Sequence, residues 1–284
     1  MILVTGAGGN VGRPLVDALA AAGQSVRAAY HSPERTREAS AAGRDAVTVD
    51  FAKPETLAPA LDGVRTVFLL GPIGPGHVER ELAVVTAARA AGVERIVKLS
   101  VMRAPDESYS FAKIHRPIER AIEDSGLAWT FLRPTSFMQN FVNHMAPTIR
   151  AQRSIYTTIP DSPFNHIDTR DVARVAATVL ASDGHARKAY TLSGPASFTY
   201  REAAETIARV SGTPVQCVAI TDADARAAMQ SHGVPDSQID ALLDLDRFYR
   251  EGGADFTVDT VRELTGREPT SFEQFVSEFA DVFR

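Results

Sequence analysis

The sequence is poor in several features that would indicate a specialised class of protein. Its 284 residues include one cysteine, which excludes an internal disulfide and a cysteine-based metal site. Acidic residues outnumber basic ones, and the net charge of -5 argues against a nucleic-acid-binding surface. No apolar stretch approaches the ~20 residues that span a bilayer. We therefore expect no direct nucleic-acid partner, no membrane association and no metal.

The rest of the composition is that of an ordinary globular protein, with 44% hydrophobic and 23% charged residues. The chain opens on the strand-like run Met1–Thr5 and continues into glycines, which leaves no room for a cleaved leader. We therefore expect a cytoplasmic protein. The single cysteine, Cys217, lies in the apolar run Val215–Ile220 and is expected to be a buried core thiol.

Short β-rich runs alternate with helical patterns through the first half of the chain. The predicted strands are Ile2–Thr5, Ser25–Tyr30, Ala46–Val49, Thr66–Leu70, Arg95–Leu99 and Trp129–Arg133. The predicted helices are Val11–Ala22, Pro33–Ala42, Pro54–Leu61, Val78–Ala91 and Ile114–Ser125. Nearly unbroken apolar strands in such an alternation are typical of a parallel sheet with helices on both faces. The sequence thus predicts an α/β fold with a Rossmann-type, doubly wound parallel sheet.

The pattern changes near Pro134, after which the β candidates are more widely spaced. The second half has predicted strands at Ser154–Thr158, Tyr190–Ser193 and Val215–Ile220, and clear helices at Asp168–Leu180 and Phe198–Val210. No long linker separates the halves, so they are expected to pack directly on each other. We predict one domain over residues 1–134 and a smaller, mostly helical substrate lobe over residues 135–284, with segments that interleave with the sheet.

A glycine-rich turn follows the first predicted strand. Its G-x-x-G-x-x-G spacing allows a tight turn, close approach of a diphosphate to the backbone, and close packing of helix on strand. The amides that begin the next helix, and the positive end of its dipole, favour an anion there. We expect residues 1–134 to bind NAD(P) through Gly6, Gly8, Gly9, Asn10, Val11 and Gly12. The alternative is an unoccupied structural turn.

The ends of the second and third strands bear on which dinucleotide binds. NAD sites usually place an acid after the second strand, whereas this strand runs into His31 and Arg35. Basic side chains suit a 2′-phosphate, so NADPH is favoured over NADH, unless Arg35 and Arg37 only solvate a helix face. Asp50 and Phe51 are placed to meet the adenine ring, although Asp50 could equally cap the next helix.

The loop after the fourth strand, Leu69–Gly76, contains three glycines and two prolines. It would cross the nicotinamide side of a coenzyme cleft, and its backbone-rich surface suits flat ligands. We expect Leu70, Gly71 and Pro72 to contact the coenzyme and Ile73 to contact a substrate. The alternative is a simple strand-to-helix connector.

A run after Pro134 combines aromatic, soft apolar and amide side chains. Phe137, Met138 and Asn140 are the candidates for binding an aromatic substrate, since ligand pockets are mainly apolar with a few polar anchors. Helical spacing makes Phe137 and Phe141 ordinary core residues as the alternative.

The order of these motifs resembles the NmrA-like branch of the short-chain dehydrogenase/reductase superfamily, in particular its NADPH-dependent quinone oxidoreductases and triphenylmethane reductases. The segments that carry the resemblance are Val4–Gly12, His31–Pro33, Ala90–Ser100, His115–Glu119, Ser125–Pro134, Phe137–Asn140, Asp168–Ala173 and Tyr190–Pro195. One departure is His31, where relatives commonly carry an arginine that binds the 2′-phosphate. Because a histidine is only partly charged near neutral pH, NADH stays open as a second coenzyme.

The resemblance also implies catalytic candidates. In conventional superfamily members a tyrosine protonates the substrate carbonyl, a lysine assists it and holds the coenzyme ribose, and a serine positions the carbonyl. Ser100, Tyr109 and Lys113 correspond here, and Ser100 and Lys113 are also expected to contact the coenzyme. Pro117 deprives the Lys113 carbonyl of its helical partner, so the helix is expected to kink or to begin later. Tyr109 would then be a packing residue.

His115 recurs in the reductase relatives and is a candidate donor to a quinone oxygen, with a capping role or an ion pair with Glu119 as alternatives. The resemblance implies hydride transfer from NADPH to a quinone or another conjugated acceptor, without flavin or metal, in a monomer or homodimer. Two other functions stay open. One is a non-catalytic regulator that senses NADP(H), and the other is a ketoreductase of secondary metabolism.

Overall fold

A seven-stranded parallel sheet forms the centre of the structure, a computed structural model that describes residues 1–284. Its strands are β1 (Ile2–Val4), β2 (Val26–Tyr30), β3 (Asp45–Thr48), β4 (Thr66–Leu69), β5 (Arg95–Leu99), β6 (Ala128–Pro134) and β10 (Lys188–Leu192). The spatial order is β10-β6-β5-β4-β1-β2-β3, a doubly wound arrangement. Because the strands are parallel, all their carboxyl ends meet at one edge.

Twelve α-helices accompany the strands. They are α1 (Gly12–Ala21), α2 (Pro33–Ala41), α3 (Leu57–Leu61), α4 (His77–Ala90), α5 (Ser110–Glu123), α6 (Ala146–Gln152), α7 (Thr169–Ala181), α8 (Tyr200–Ser211), α9 (Asp222–Ser231), α10 (Asp236–Arg250), α11 (Thr260–Thr265) and α12 (Phe272–Glu278). None of them combines the length and the apolar character needed to cross a bilayer.

Both faces of the main sheet are buried, which explains the unbroken apolar strands. In β1, Ile2 and Val4 join a core cluster with α1, α7 and α11, whereas Leu3 joins a separate cluster with α3, α4 and α5. This alternation follows from the two-residue period of a strand. The sheet is therefore held between two helical layers, and its carboxyl edge is left for ligands.

The second half of the chain builds on that edge. It contributes two small sheets, one of β7 (Ser136–Phe137), β9 (Phe164–Ile167) and β11 (Ser197–Phe198), the other of β8 (Ser154–Thr157) and β12 (Gln216–Ala219). A third core cluster joins α8 and α12, and a fourth brings α10 against Tyr109 and Met102. The two halves thus share packed side chains next to the carboxyl edge of the main sheet.

This architecture confirms the predicted fold class. Each of the six strands predicted in the first half lies within one residue of its observed bounds. The domain boundary after residue 134 stays a prediction. Two elements of the second half belong to the main sheet: β10 is one of its strands, and α7 packs on one of its faces. The expectation of a buried Cys217 is wrong, since that side chain is only half-buried against the third cluster.

Helix α5 begins earlier than the sequence predicts. Its first residue is Ser110 rather than Ile114, and Pro117 lies inside the helix. The amide and the hydroxyl of Ser110 both donate to the Asp244 carboxylate of α10, each at 2.7 Å. That carboxylate satisfies donors that a helix leaves free at its N-terminus. The start of α5 therefore depends on a residue far along the chain, which a local pattern does not reveal.

A buried carboxylate joins α5 to β6. Glu119 is fully buried and accepts hydrogen bonds from Arg133 at 2.9 and 2.8 Å and from Arg116 at 3.1 Å. The two guanidinium groups neutralise the carboxylate and satisfy its oxygens. Since α5 also carries His115, this anchor fixes the helix that brings His115 to the sheet edge.

We expect Glu119→Ala to destabilise the protein strongly. Removing the carboxylate leaves the largely buried Arg133 without its partner, a change that typically costs about 3–5 kcal/mol in free energy of unfolding. The matched control is Glu94→Ala, which breaks an equally bidentate but exposed pair with Arg65 and should cost far less. Urea unfolding of both variants measures the difference, and equal losses would contradict the anchoring role.

Candidate functional site

A cleft of about 750 Å³ opens at the carboxyl ends of β1 to β4. Open α/β sheets bind ligands at this edge, where the strand order reverses. Its walls are the turn after β1, the ends of β2 and β3, and the loop after β4. The lining residues are Thr5, Gly6, Gly8, Gly9, Ala29, Tyr30, His31, Ser32, Arg35, Val49, Asp50, Phe51, Ala52, Leu70, Gly71, Pro72 and Arg80.

The turn after β1 is too tightly packed for side chains at its key positions. Gly6 has a left-handed φ of 65°, and a Cβ on Gly12 would lie 2.1 Å from the Gly6 carbonyl oxygen. Of the six turn residues expected to contact a dinucleotide, half form the cleft wall and half do not. Gly6, Gly8 and Gly9 line the cleft, whereas Asn10 is exposed outside its lining and Val11 and Gly12 are buried at the start of α1.

Basic side chains lie where β2 ends. His31 and Arg35 are exposed and line the cleft. Arg37, on the same helix as Arg35, does not line it. Ser32 caps α2 by accepting from the Arg35 amide at 3.3 Å, and the Arg35 guanidinium donates to the Gly8 carbonyl at 3.4 Å. Arg35 therefore spans the end of β2 and the glycine turn, so a phosphate placed there would meet two basic groups.

The wall after β3 has one polar and one aromatic residue. The Asp50 carboxylate accepts from the Ala52 amide at 3.0 Å and pairs with Lys53 at 3.8 Å, so it shapes the turn. Phe51 is half-buried and presents a ring to the cleft. Arg80 of α4 also lines this cleft, although nothing in the local sequence distinguishes it from a solvated helix residue.

A smaller pocket of about 200 Å³ adjoins the cleft, and Leu70 and Gly71 line both. Its other lining residues are Ile73, Leu99, Ser100, Val101, Met102, Tyr109, Phe111, His115, Pro134, Thr135, Ser136, Phe137, Asn140, Leu245 and Tyr249. None of these is a lysine, arginine, aspartate or glutamate. The pocket therefore offers apolar, aromatic and neutral polar surface, which suits a flat, uncharged molecule.

Two side chains of the smaller pocket have polar atoms without a partner in the protein. These atoms are the Ser100 hydroxyl oxygen and both ring nitrogens of His115, all of them buried. Burial, followed by the nearby charge of Lys98 and by His77, holds the pKa of His115 well below its ordinary value. The imidazole is therefore neutral near pH 7 and can donate through one nitrogen. Ser100 and His115 are free to bind a ligand oxygen.

Tyr109 and Lys113 do not form the predicted pair. Tyr109 lines the smaller pocket, but its hydroxyl donates to the Met102 carbonyl at 2.8 Å and its ring stacks on Phe248, with centroids 4.4 Å apart. Burial raises the pKa of this phenol, which opposes ionisation. Lys113 is exposed and lines neither the cleft nor the pocket. The phenol is engaged in packing, and the ammonium group is in solvent.

Three of the four candidate substrate-binding residues line the smaller pocket, and one does not. Phe137, Asn140 and Ile73 line the smaller pocket, and Ile73 is 52% exposed. Met138 is fully buried in the third core cluster and does not line the pocket. Leu245 and Tyr249 of α10 complete the wall, and their distance along the chain is the reason that the sequence analysis missed them.

A buried ion pair lies behind the loop that the cleft and the pocket share. Lys98 of β5 is 0% exposed and Glu81 of α4 is 1% exposed, and their charged groups are in direct contact. The Glu81 carboxylate also accepts from the Gly71 amide at 2.9 Å. The His77 ring lies edge-to-face with His115, with centroids 5.1 Å apart. Nothing in the local sequence predicts this ion pair, since its partners lie on different elements.

No group of three or more histidine, cysteine, aspartate or glutamate side chains is arranged to hold a metal ion. The residues of the cleft do fit a dinucleotide. Side-chain-free backbone at Gly6, Gly8 and Gly9 leaves room for a diphosphate, and His31 and Arg35 lie at the end where a ribose phosphate would be bound.

Comparisons with known proteins agree with this geometry. Residues 1–276 match the NmrA-like family. An NAD(P)H azoreductase of Xenophilus azovorans is 34% identical, over 100% of this chain and 99% of that protein. A (4-alkanoyl-5-oxo-2,5-dihydrofuran-3-yl)methyl phosphate reductase of Streptomyces griseus subsp. griseus is 38% identical with the same coverage.

The match extends to solved structures. An NADPH-dependent quinone oxidoreductase of Escherichia coli, crystallised in complex with NADPH, has a TM-score of 0.89 and 28% identity to this chain. The superposition covers 98% of this chain and 99% of that one. Sequence and fold thus agree over nearly the whole length, and the chain belongs to the NmrA-like family.

Proposed function

We propose that the protein reduces an uncharged conjugated carbonyl compound, with quinones as the leading class, by direct hydride transfer from NADPH. The general activity does not depend on which acceptor is reduced: the protein is an NAD(P)H-dependent reductase, as its family and its relatives indicate. The observation that carries the acceptor class is the pair of unpartnered groups, Ser100 and His115, in a pocket without charged side chains.

The coenzyme would lie along the cleft in a defined direction. The glycine turn and the start of α1 would bind the diphosphate, because free amides and the positive end of the helix dipole face it. His31 and Arg35 would bind the 2′-phosphate, and Phe51 would contact the adenine. Leu70 and Gly71, which also line the acceptor pocket, would then hold the nicotinamide end of the coenzyme. When bound, the coenzyme supplies the hydride at that boundary.

The protein's part in the chemistry is to hold the acceptor oxygen. Hydride arriving on a conjugated carbonyl leaves negative charge on an oxygen, and the Ser100 hydroxyl and the neutral His115 N–H would donate to it. For a quinone, hydride added to one carbonyl oxygen leaves the negative charge on the other oxygen, as a hydroquinone monoanion, and a proton from solvent then gives the hydroquinone. Because a quinone becomes aromatic on reduction, two neutral donors suffice and a proton-donating tyrosine is not required.

The pocket also favours some acceptor classes over others. A phosphate ester, of the kind in the name of the Streptomyces griseus relative, would enter a pocket lined by no cationic side chain. Burying such a charge without a partner is unfavourable. Phe111, Phe137 and Tyr249 instead offer aromatic surface to a flat ring. An uncharged quinone fits both features.

The direct test is NADPH oxidation by the purified protein with a panel of acceptors. The panel contains uncharged quinones, an azo dye, a triarylmethane dye and a phosphate-bearing butenolide. We expect the highest kcat/KM with the quinones and the lowest with the phosphate ester. Tight coenzyme binding without turnover of any acceptor would overturn the proposal and favour a sensor that binds NADP(H).

We expect Arg35→Ala to weaken NADPH binding by about tenfold or more, because a charged hydrogen bond to phosphate is lost. NADH, which lacks the 2′-phosphate, should bind almost as before. The control is Arg37→Ala on the same helix, whose side chain does not line the cleft and which should leave both affinities unchanged. Coenzyme titrations of the three proteins measure this, and an equal loss for both coenzymes would contradict the assignment of Arg35.

We expect His115→Leu to lower kcat for quinones by about 100-fold, since removal of one donor to a developing oxyanion typically has an effect of this size. The coenzyme dissociation constant should change little, because His115 lies in the acceptor pocket. Steady-state kinetics combined with NADPH titration separates these two quantities. A variant with unchanged kcat would exclude His115 as the oxygen-binding group.

The matched comparison for that variant is Tyr109→Phe in the same pocket. Loss of the phenol hydroxyl leaves the Met102 carbonyl without its donor, so we expect the free energy of unfolding to fall by about 1 kcal/mol. The kcat should stay close to that of the wild type, because the hydroxyl is already engaged by the backbone. A loss of kcat as large as that of His115→Leu would restore Tyr109 as the proton donor.

A further inference from the structure

The loop between the cleft and the acceptor pocket is held at three successive residues. The Leu70 amide donates to the Thr5 hydroxyl at 2.8 Å, and the Gly71 amide donates to the Glu81 carboxylate at 2.9 Å. The Pro72 carbonyl oxygen lies 3.0 Å from Nδ1 of His77, which donates to it in the neutral Nδ1–H tautomer. A loop with glycine and proline at consecutive positions is thus fixed by side chains from two other elements.

Two of these holding groups lie on one face of α4. His77 and Glu81 are four residues apart, so they point in the same direction, and Arg80 beside them also donates to the Pro72 carbonyl at 3.0 Å. In this tautomer Nε2 of His77 carries no proton, and this buried nitrogen has no hydrogen-bond partner in the protein. The side chains of His77, Arg80 and Glu81 of α4 are therefore a clamp for residues 71 and 72.

Glu81 is an unusual residue for this position, because an ionised carboxylate is costly to bury. Lys98 of β5 supplies the counter-charge, and its ammonium group also donates to the Leu99 carbonyl at 3.2 Å. A buried ion pair of this kind contributes little net stability, and apolar pairs of similar volume often replace it without loss. Its presence here therefore points to something that an apolar pair cannot do, which is to accept the Gly71 amide.

Space around Gly71 is limited as well. A Cβ at this position would lie 3.0 Å from the Glu81 carboxylate oxygen and 3.2 Å from the Phe51 ring. The loop backbone is thus held between the carboxylate and the aromatic wall of the cleft. Movement of Gly71 in either direction changes both the cleft and the acceptor pocket, because it lines both.

We propose that Glu81, kept in place by Lys98, is a positioning residue for hydride transfer. By binding the Gly71 amide it sets the distance between the nicotinamide end of the cleft and the acceptor held by Ser100 and His115. This inference rests on the proposed function, since it assigns the nicotinamide to Leu70 and Gly71. It adds that a pair of side chains outside the pocket lining determines how closely the two reactants meet.

Two double variants separate the hydrogen bond from the charges. Glu81→Gln with Lys98→Met removes both charges and keeps an acceptor oxygen for the Gly71 amide. Glu81→Leu with Lys98→Met removes the charges and the acceptor together. Both have neutral interiors of similar volume, so burial of charge does not distinguish them, and the Gly71 amide itself reports on its hydrogen bond.

The first measurement needs neither coenzyme nor turnover. In native-state hydrogen exchange, we expect the Gly71 amide to exchange at least about tenfold faster in the leucine variant than in the glutamine variant. The Phe68 amide, in the adjacent strand β4, should exchange at similar rates in both. Equal protection of Gly71 in the two variants would overturn the clamp.

The second measurement is kinetic. We expect kcat for a quinone to fall by about 10- to 100-fold in the leucine variant relative to the glutamine variant, as small displacements of reactants have such effects. The NADPH dissociation constant should change little. If both variants have the same kcat although Gly71 exchanges differently, Glu81 is a structural residue only and the proposal fails.

Two further experiments apply if the leucine variant does not fold or if the wild-type protein reduces no acceptor. If the leucine variant does not fold, Gly71→Ala replaces it, because its added methyl displaces the same loop by a few tenths of an ångström and should lower kcat in the same way. If the wild-type protein reduces no acceptor, the proposed function fails first. The emission of bound NADPH then decides the positioning claim, since a displaced loop changes the surroundings of the nicotinamide, and identical emission in both double variants would overturn it.

Discussion

The close contact between the start of α1 and the turn after β1 is the constraint on which the site depends. Gly12 lies against the Gly6 carbonyl with no room for a Cβ, so the helix begins directly beneath the turn. This brings the free amides of the first helical turn to the carboxyl edge of the sheet. A larger residue would push α1 away, and the backbone surface that suits a diphosphate would be lost. The rest of the cleft is arranged around this surface.

The part of the fold that local sequence determines could be predicted well. The strands of the first half are apolar runs between turn residues, and the glycine turn has a spacing with a known backbone requirement. The start of α5 could not be predicted, because Asp244 supplies the acceptor that a local residue would normally provide. Pro117 misled as well, because α5 continues through it and is held by Asp244 at its start and by Arg133 at Glu119.

The candidate site, too, could be predicted only where local sequence determines it. The larger cleft, the proposed coenzyme site, is built from residues that follow strands directly, so Gly6, His31, Phe51 and Gly71 could be found from strand ends alone. The acceptor pocket takes walls from α5, from the segment after β6 and from α10, and no sequence period connects these. The Lys98–Glu81 pair could not be predicted for a further reason. A lysine in a strand and a glutamate in a helix are both expected to be solvent-exposed, whereas these two side chains are buried.

The two charged residues behind the shared loop and the neutral pocket in front of it are complementary. Coulombic attraction to a buried carboxylate or ammonium would bind charged ligands in the pocket, but the Lys98–Glu81 pair cancels its own charge outside the lining. The pocket therefore remains neutral although an ion pair lies close to it. His115 remains neutral chiefly because its burial disfavours protonation of the imidazole. A neutral donor can stabilise an oxyanion after hydride transfer without attracting anions before it, which is the property that the proposed uncharged acceptor requires.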